Sequence, residues 1–164
     1  MESENVILDV GFGNGYFINK ILTRNIPVTV CGIDISKDMV NFASKKYRHL
    51  IEKGTLRLSL ENIQETSFEN DTFDRIYTIS TMYFWNDLGK CFSEIKRILK
   101  PNGLFLNIIY SKKFLDTLRY TTYGFTKFTI EDLERITEEN GMKIIKTIGI
   151  YKNISYCVIS ENIK

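Results

Sequence analysis

The chain has 164 residues, of which 43% are hydrophobic and 26% are charged, and its formal net charge is +2. This length fits one globular domain with a continuous core, so we treat residues 1–164 as a single domain. A charge this small does not by itself indicate a nucleic-acid partner, and no apolar run reaches transmembrane length, so no membrane insertion is expected.

Short apolar or alternating runs predict four β-strands in the first half of the chain. They span residues 6–10, 28–33, 55–60 and 73–80. Apolar residues at helical spacing predict a helix over 15–24. A second helix is predicted to begin after Ser36, its N-cap, and to stop at Gly54.

The second half continues the same alternation. A helical stripe of apolar residues over 88–99 is followed by a turn, Pro101–Asn102–Gly103, and by a strand over 104–110. Thr129-x-x-Asp132 is a capping-box pattern that opens another helix, which Gly141 ends. Two final strands, 143–150 and 154–160, are separated by Tyr151–Lys152–Asn153 and are predicted to form a hairpin.

Strands that alternate with helices predict parallel β-α-β units with right-handed crossovers. The predicted fold is a doubly wound α/β domain with a mostly parallel, seven-stranded sheet, to which the C-terminal hairpin adds an antiparallel strand. Ligands of such sheets bind beyond the carboxyl ends of the strands.

A glycine-rich loop, Asp9–Val10–Gly11–Phe12–Gly13–Asn14–Gly15, joins the first predicted strand to the first helix. Glycine lets the backbone turn tightly and approach a ligand without an intervening Cβ. The spacing departs from the nicotinamide fingerprint, because the sixth position counted from Gly11 is Tyr16. Asp9 would repel a pyrophosphate but suits a ligand that carries an ammonium group.

Asp34 lies 19 residues after Gly15, at the end of the second predicted strand. A carboxylate at this place can accept hydrogen bonds from both hydroxyls of a ribose, or it can cap the following helix. Its spacing from the glycine loop favours ribose binding.

Five stretches resemble, in family order, the class I S-adenosylmethionine-dependent methyltransferases of the small-molecule and quinone-biosynthesis type. They are ILDVGFGNGYF (7–17), CGIDIS (31–36), LENIQETSF (60–68), FDRIYTISTMYFW (73–85) and LGKCFSEIKRILKPNGLFL (88–106). The resemblance implies the class I methyltransferase fold. It also implies in-line transfer of a methyl group from S-adenosylmethionine to a small-molecule acceptor, which leaves S-adenosylhomocysteine.

The resemblance further implies which side chains bind the cofactor. They are Asp9, Gly11, Phe12, Gly13 and Gly15 around the methionine part, Asp34 at the ribose, Ile35, Met39, Asn62 and Ile63 at the adenine, and Ser80 and Thr81 beside the methionine end. Relatives often carry aspartate where this chain has Asn62, whose carbonyl oxygen can still accept a hydrogen bond from the adenine amino group.

The acceptor side has two candidate walls. Tyr83–Phe84–Trp85 either packs against the following helix or turns Tyr83 or Trp85 towards the sulfonium or the acceptor, where an aromatic face attracts a cation by roughly 0.5–2 kcal/mol. Residues 111–127, which interleave aromatic and basic side chains, either line the acceptor pocket or simply cover the sheet.

No catalytic base and no metal are predicted. His49 is the only histidine and lies in a basic helical stretch, which excludes a Ser-His-Asp triad. Alignment of acceptor, methyl and sulfur can supply roughly 7–11 kcal/mol of the barrier, so a base is needed only if the acceptor must lose a proton, and Tyr83 is its one candidate. Three widely spaced cysteines among apolar neighbours indicate buried thiols of a cytoplasmic protein.

The N-terminus is short, because five residues precede Val6, whereas relatives usually carry helices there that close over the cofactor. A second hypothesis therefore stays open: a domain that binds the cofactor, is catalytically silent and supports a partner subunit. A nucleic-acid methyltransferase is disfavoured, since Ser80–Thr81–Met82–Tyr83 lacks the polar-Pro-Pro-aromatic motif. The sequence does not indicate an oligomeric state.

Overall fold

A computed structural model describes residues 5–24, 26–152 and 154–164 of the chain. Its strands are β1 (Asn5–Val10), β2 (Val28–Asp34), β3 (Leu56–Leu60), β4 (Phe73–Ile79), β5 (Leu99–Tyr110), β6 (Met142–Ile150) and β7 (Ser155–Asn162). Within the described residues they form one seven-stranded sheet in the order β3-β2-β1-β4-β5-β7-β6. Strands β1 to β5 pair in parallel, and β7 runs antiparallel to both β5 and β6, which confirms the predicted fold class.

Helices cover both faces of this sheet. They are α1 (Tyr16–Leu22), α2 (Lys37–Lys46), α3 (Arg48–Glu52), α4 (Leu88–Ile98), α5 (Lys112–Leu115) and α6 (Ile130–Glu139). Side chains alternate along β1, so Ile7 belongs to the apolar cluster under α1 to α3, whereas Leu8 belongs to the cluster under α4 and α6. Burial on both faces explains why the parallel strands read as nearly continuous apolar runs.

The prediction of a single helix after Ser36 is wrong, because the structure contains two helices there, α2 and α3. Tyr47 lies between them with φ −109° and ψ 25°, outside helical geometry. Its buried ring packs against Gly15, where an added Cβ would lie 2.5 Å from Tyr47 Cε2. This packing partner is distant in sequence, so the periodicity of the helix could not reveal the break.

The turn Pro101–Asn102–Gly103 falls inside β5 rather than before it. Phe73 of β4 pairs with Leu99, whereas Arg75 pairs with Leu104, so the turn forms a bulge between the two registers. Asn102 accordingly has a φ of 60°.

The C-terminal predictions agree with the structure where it describes them. Thr129 and Asp132 form the reciprocal capping box of α6, and Gly141 follows the helix with φ +74°. Strands β6 and β7 pair as an antiparallel hairpin. Asn153 of the predicted turn lies outside the described residues, and so do residues 1–4.

The parallel arrangement places the carboxyl ends of β1, β2, β4 and β5 at one edge of the sheet, where ligands of such folds bind. Among the described residues, no helix has the length and apolar character needed to cross a membrane.

Candidate functional site

The glycine loop after β1 has a backbone that glycine suits at three positions. Gly11, Gly13 and Gly15 all have positive φ, at 75°, 54° and 72°. The Gly11 N–H donates to the Ile33 carbonyl oxygen at 2.8 Å, which ties the loop to the end of β2. A Cβ added at Gly13 would have no atom within 4 Å, so this part of the loop faces open space.

Asp34 at the end of β2 points towards this loop. Its Oδ2 accepts a hydrogen bond from the Gly13 N–H at 2.9 Å, and its Oδ1 accepts one from the Ser36 N–H at 2.9 Å. The carboxylate therefore joins the glycine loop to the start of α2, so the two places that the sequence linked by spacing are adjacent.

Two cavities open beside the loop. The first has a volume of about 290 Å³, and we call it the Trp85 cavity. Seven of the predicted site residues line it: Gly11, Asp34, Ile35, Asn62, Ile63, Thr81 and Trp85. The second, the Asp9 cavity, has a volume of about 340 Å³ and is lined by four of them: Asp9, Gly11, Phe12 and Gly13. Gly11 is common to both, so the cavities meet at the glycine loop.

Among the carboxyl groups of the site, Asp9 has the most strongly shifted pKa. Its side chain is 3% exposed, and its Oδ2 accepts a hydrogen bond of 2.7 Å from the Tyr77 hydroxyl. Burial raises the pKa of the Asp9 carboxyl to about 7, against the Tyr77 hydrogen bond that lowers it, and the charge of Asp34 raises it further. Within the described residues Asp9 forms no ion pair.

Four predicted residues lie outside the linings of these two cavities: Gly15, Met39, Ser80 and Tyr83. Gly15 makes room for Tyr47, and the Met39 N–H donates to Ser36 Oγ in the first turn of α2. Ser80 has a φ of 59° at the end of β4, and its N–H donates to the Ile108 carbonyl oxygen. Gly15, Met39 and Ser80 thus shape the backbone that frames the site.

Tyr83 packs instead of facing a cavity. It is 2% exposed, its hydroxyl donates to the Tyr110 carbonyl oxygen at 3.4 Å, and its ring centroid lies 5.6 Å from that of Phe125. Burial raises the pKa of Tyr83 to about 12, which keeps the phenol protonated at neutral pH. This geometry favours the packing interpretation for Tyr83, while Trp85 stays at a cavity wall.

Several lining residues were given no role from the sequence. In the Trp85 cavity they are Val10, Ile33, Glu61, Gln64, Asn86 and Cys91, together with Phe84, which was named only as part of Tyr83–Phe84–Trp85. In the Asp9 cavity they are Tyr16, Phe17 and Ile79, together with Asn14, which was named only as part of the glycine loop. Cys91 was expected only as a buried thiol; it is buried and free, and it also forms part of a cavity wall. Tyr77 gave no signal either, since its bond to Asp9 depends on the β1–β4 register that pairs the two residues.

The loop after β3, which carries Asn62 and Ile63, is fastened to α4. Glu94 Oε1 accepts hydrogen bonds from the Thr66 N–H at 2.8 Å and the Thr66 hydroxyl at 2.6 Å. The Arg97 guanidinium, bonded to both Glu94 oxygens, outweighs burial and, with Thr66, lowers the pKa of Glu94 to about 2. We call Thr66, Glu94 and Arg97 the charged latch, because their hydrogen bonds hold the loop that forms one wall of the Trp85 cavity.

In the part of the chain that the structure describes, no group of three or more His, Cys, Asp or Glu side chains could hold a metal ion. The polar groups at the two cavities are instead separate carboxylates, amides and backbone N–H groups. Such donors and acceptors are suited to an organic ligand.

The strand order, the glycine loop after β1 and the acidic end of β2 beside it define the class I methyltransferase fold. A family model described as "Methyltransferase domain" matches residues 8–107. The chain therefore belongs to this family, the class I S-adenosylmethionine-dependent methyltransferases.

Curated relatives share part of this domain. The uncharacterized methyltransferase YdaC of Bacillus subtilis (strain 168) is 34% identical over 97 residues, which cover 59% of this chain and 51% of that protein. An O-methyltransferase of Pyrenophora dematioidea is also 34% identical over 97 residues, covering 59% of this chain and 36% of that protein. The chain thus spans about half the length, or less, of these relatives.

Solved structures share the fold across nearly the whole chain. A SAM-dependent methyltransferase from Aquifex aeolicus superposes with a TM-score of 0.82 at 20% identity, covering 98% of this chain and 83% of that one. A chain from the complex of the Haloferax volcanii Trm112 methyltransferase activator with a methyltransferase superposes with a TM-score of 0.85 at 17% identity, covering 100% and 85%.

Proposed function

We propose that the chain transfers a methyl group from S-adenosylmethionine to a small-molecule acceptor and leaves S-adenosylhomocysteine. One observation carries the proposal: a buried carboxyl without an ion-pair partner among the described residues, Asp9, shares a cavity with the bare backbone of Gly13, and Asp34 joins that backbone to the neighbouring cavity. A ligand with an ammonium group at one end and a nucleoside at the other complements this arrangement.

The residues present fit the cofactor. Asp9 would hold the ammonium group, and Gly13 leaves space for the amino-acid part because a Cβ there would meet no atom. Asp34 would accept hydrogen bonds from the ribose hydroxyls, since a carboxylate has about four lone-pair positions and two are used by backbone N–H groups. Ile35 and Ile63 would pack on the adenine. Bound S-adenosylmethionine supplies a methyl group that its sulfonium has already activated.

The protein's own contribution is alignment rather than proton transfer. Thr81 and Trp85 stand on the wall of the Trp85 cavity, which meets the Asp9 cavity at Gly11, and there they would orient the acceptor and exclude water. The phenol of Tyr83 is buried and neutral, so we assign no general base. Acceptors that are already nucleophilic at neutral pH suit such a site.

The name of one relative supports a small acceptor. The demethylmenaquinone methyltransferase of Symbiobacterium thermophilum (strain DSM 24528 / JCM 14929 / IAM 14863 / T) is 30% identical over 122 residues, which cover 74% of this chain and 49% of that protein. The small net charge of +2 supports an acceptor other than a nucleic acid. We also propose a cytoplasmic location, because the buried thiols of Cys31, Cys91 and Cys157 are free and suit a reducing compartment.

One observation favours the second candidate, a catalytically silent domain that supports a partner. The Haloferax volcanii neighbour is found in a complex with a methyltransferase activator. A domain of this kind would bind the cofactor but would give no turnover of its own.

Two measurements separate these functions. At about 100 times its dissociation constant, S-adenosylhomocysteine should stabilise the domain by roughly 2.7 kcal/mol, which raises the Tm by about 5–10 °C, whereas NAD should have no effect. Formation of S-adenosylhomocysteine from S-adenosylmethionine with a panel of small acceptors supports the enzyme. A shift without turnover supports the silent domain, and a shift with NAD alone contradicts both.

A further inference from the structure

A row of aromatic rings leads out of the Trp85 cavity. Phe84 lines the cavity and is 51% exposed, and its ring centroid lies 4.7 Å from that of Phe125. Phe125 lies 6.3 Å from Tyr120, which is 73% exposed. We call Phe84, Phe125 and Tyr120 the aromatic shelf. Phe84 and Tyr120 are exposed, and the half-buried ring of Phe125 lies between them, so the cluster extends outwards from the cavity wall.

Contacts with Tyr83 hold two rings of the shelf in position. The ring of Tyr83 packs against both Phe84 and Phe125, and the Thr126 N–H donates to the Tyr83 carbonyl oxygen at 3.0 Å. An ion pair of 2.9 Å between Lys127 and Asp116 closes the same segment. Because Phe84 and Phe125 are held by these contacts, their side chains lose little conformational entropy when a ligand packs on them.

The segment that carries Phe125 and Tyr120 is basic. Residues 110–127 contain four basic residues and one acidic residue, a net charge of +3, whereas the whole chain carries +2. Lys127 is paired with Asp116, but among the described residues Lys112, Lys113 and Arg119 form no ion pair. Arg119 is exposed and directly precedes Tyr120 in the short 3-10 turn Arg119–Thr121, so the turn that carries the outer ring of the shelf also carries a cation.

We infer that the acceptor is a flat aromatic molecule that carries an acidic group, with its ring on the aromatic shelf and its anion at Arg119. The inference rests on the proposed function and adds the substrate class. The rings of the shelf contact one another edge-to-face, and such rings attract a further aromatic ring beyond simple burial. A guanidinium pairs with a carboxylate or sulfonate through two parallel hydrogen bonds.

A pair of fluorescent probes tests this class directly. Anilinonaphthalene sulfonate and N-phenylnaphthylamine share their rings, but only the first carries an anion. With the full chain saturated with S-adenosylhomocysteine, we expect the sulfonate to bind one site about tenfold more tightly than the uncharged probe. Its affinity should fall as salt is added, because the site is exposed to solvent.

Substitutions assign the two parts of the site. Arg119→Glu should weaken the sulfonate by about tenfold or more and leave the uncharged probe unchanged, whereas Tyr120→Ala should weaken both. Arg57→Glu is the matched control. Arg57 is an exposed arginine on β3, the outermost strand of the sheet, and three strands separate β3 from β5, which the basic segment follows. Far-UV circular dichroism and the melting shift with S-adenosylhomocysteine verify that each variant folds and binds the cofactor product.

Several outcomes would overturn the inference. Equal affinities for the two probes, or equal losses with Arg57→Glu and Arg119→Glu, would remove the anion site. Displacement of the sulfonate by a single-stranded oligonucleotide at lower concentration than by benzoate would indicate a nucleic acid instead. A dimer that excludes both probes would show that a second copy covers the shelf. Loss of the melting shift in the unmodified chain would instead reject the proposed function.

Discussion

The Tyr77 hydroxyl donates a hydrogen bond of 2.7 Å to the carboxylate of Asp9, across the pairing of β4 with β1. Burial raises the pKa of both groups, and the charge of Asp9 raises the pKa of Tyr77 further. The pair keeps a carboxyl group in the wall of the Asp9 cavity at a cost to folding, which is typical of residues retained for binding.

Asp9→Asn tests whether the charge of Asp9 serves ligand binding rather than stability. The amide keeps the size of the side chain and an oxygen that can accept from Tyr77, but it removes the charge. We expect the Tm of the unliganded protein at pH 8 to be equal or higher, and the melting shift with S-adenosylhomocysteine to disappear. Scanning calorimetry with and without S-adenosylhomocysteine measures both.

Asp74→Asn is the control for Asp9→Asn. Burial opposes ionisation of Asp74, but hydrogen bonds from Lys100 and from the Val6 N–H outweigh it and hold the pKa of this carboxyl below its usual value. Its loss should lower the Tm and preserve the melting shift. An Asp9→Asn protein that still binds normally would remove Asp9 from the site.

The pH dependence of stability should carry the signature of Asp9. Because its pKa is raised to about 7 in the folded state, the native protein binds more protons than the unfolded chain between about pH 4 and pH 7. The contribution is fully present below the unfolded pKa and is lost as the pH rises through about 7. The free energy of unfolding of the natural chain, relative to Asp9→Asn, should therefore fall from pH 5 to pH 8, by up to about 1.4 kcal/mol per pH unit. Urea titrations at each pH measure it.

The affinity for S-adenosylhomocysteine should change with pH in the opposite direction to the stability. An ammonium group requires the ionised carboxylate, so the affinity for S-adenosylhomocysteine should rise with pH up to about 7 and then level off. Isothermal titration calorimetry in two buffers of different ionisation enthalpy should show release of a proton at pH 6. An affinity that is flat between pH 5.5 and pH 7.5 would contradict a contact between Asp9 and the ammonium group.

Gly13→Val tests the approach of the backbone to the ligand. Gly13 has φ +54° and faces open space, so a side chain there would strain the loop and project into the room reserved for the ligand. We expect a loss of about 1–2 kcal/mol of stability and no melting shift with S-adenosylhomocysteine. Gly54→Val is matched: Gly54 also has positive φ and open space but lies outside both cavity linings. It should lose similar stability and keep the shift.

Glu94→Gln tests the latch on the loop after β3. Glu94 is 8% exposed and accepts bonds from Thr66 and Arg97, so loss of its charge should cost about 1–3 kcal/mol of stability. The dissociation constant of S-adenosylhomocysteine should rise several-fold, since the loop carries the Asn62 and Ile63 wall. Isothermal titration calorimetry measures the second effect.

Glu139→Gln is the matched control for the latch, because Glu139 forms an exposed pair with Arg135 on α6. Such surface pairs contribute roughly 0–1 kcal/mol, so both stability and affinity should change little. If Glu94→Gln lost stability but bound S-adenosylhomocysteine unchanged, the latch would serve the fold alone.

Much of the cavity lining follows from local signals. Strand ends are visible as apolar runs that stop at polar residues, and parallel strands bring such ends to one edge, so the sequence alone suffices to place Gly11, Asp34 and Thr81 at the cavity. Tyr83 could not be judged in the same way, because a residue directly after a strand can turn towards the ligand or into the core. Its burial depends on Phe125 and Tyr110, which lie far along the chain.

The amino-acid sequence by itself determined how strands and helices alternate along the chain, the capping box of α6 and the glycine loop. Each of these depends on residues that are near neighbours in the chain. Only the tertiary structure decided that Tyr77 bonds to Asp9, that Glu94 fastens Thr66, and that Tyr47 breaks a helix over Gly15. These contacts join residues that are 28 or more positions apart, and their geometry depends on sheet register and helix packing, which the whole core establishes together.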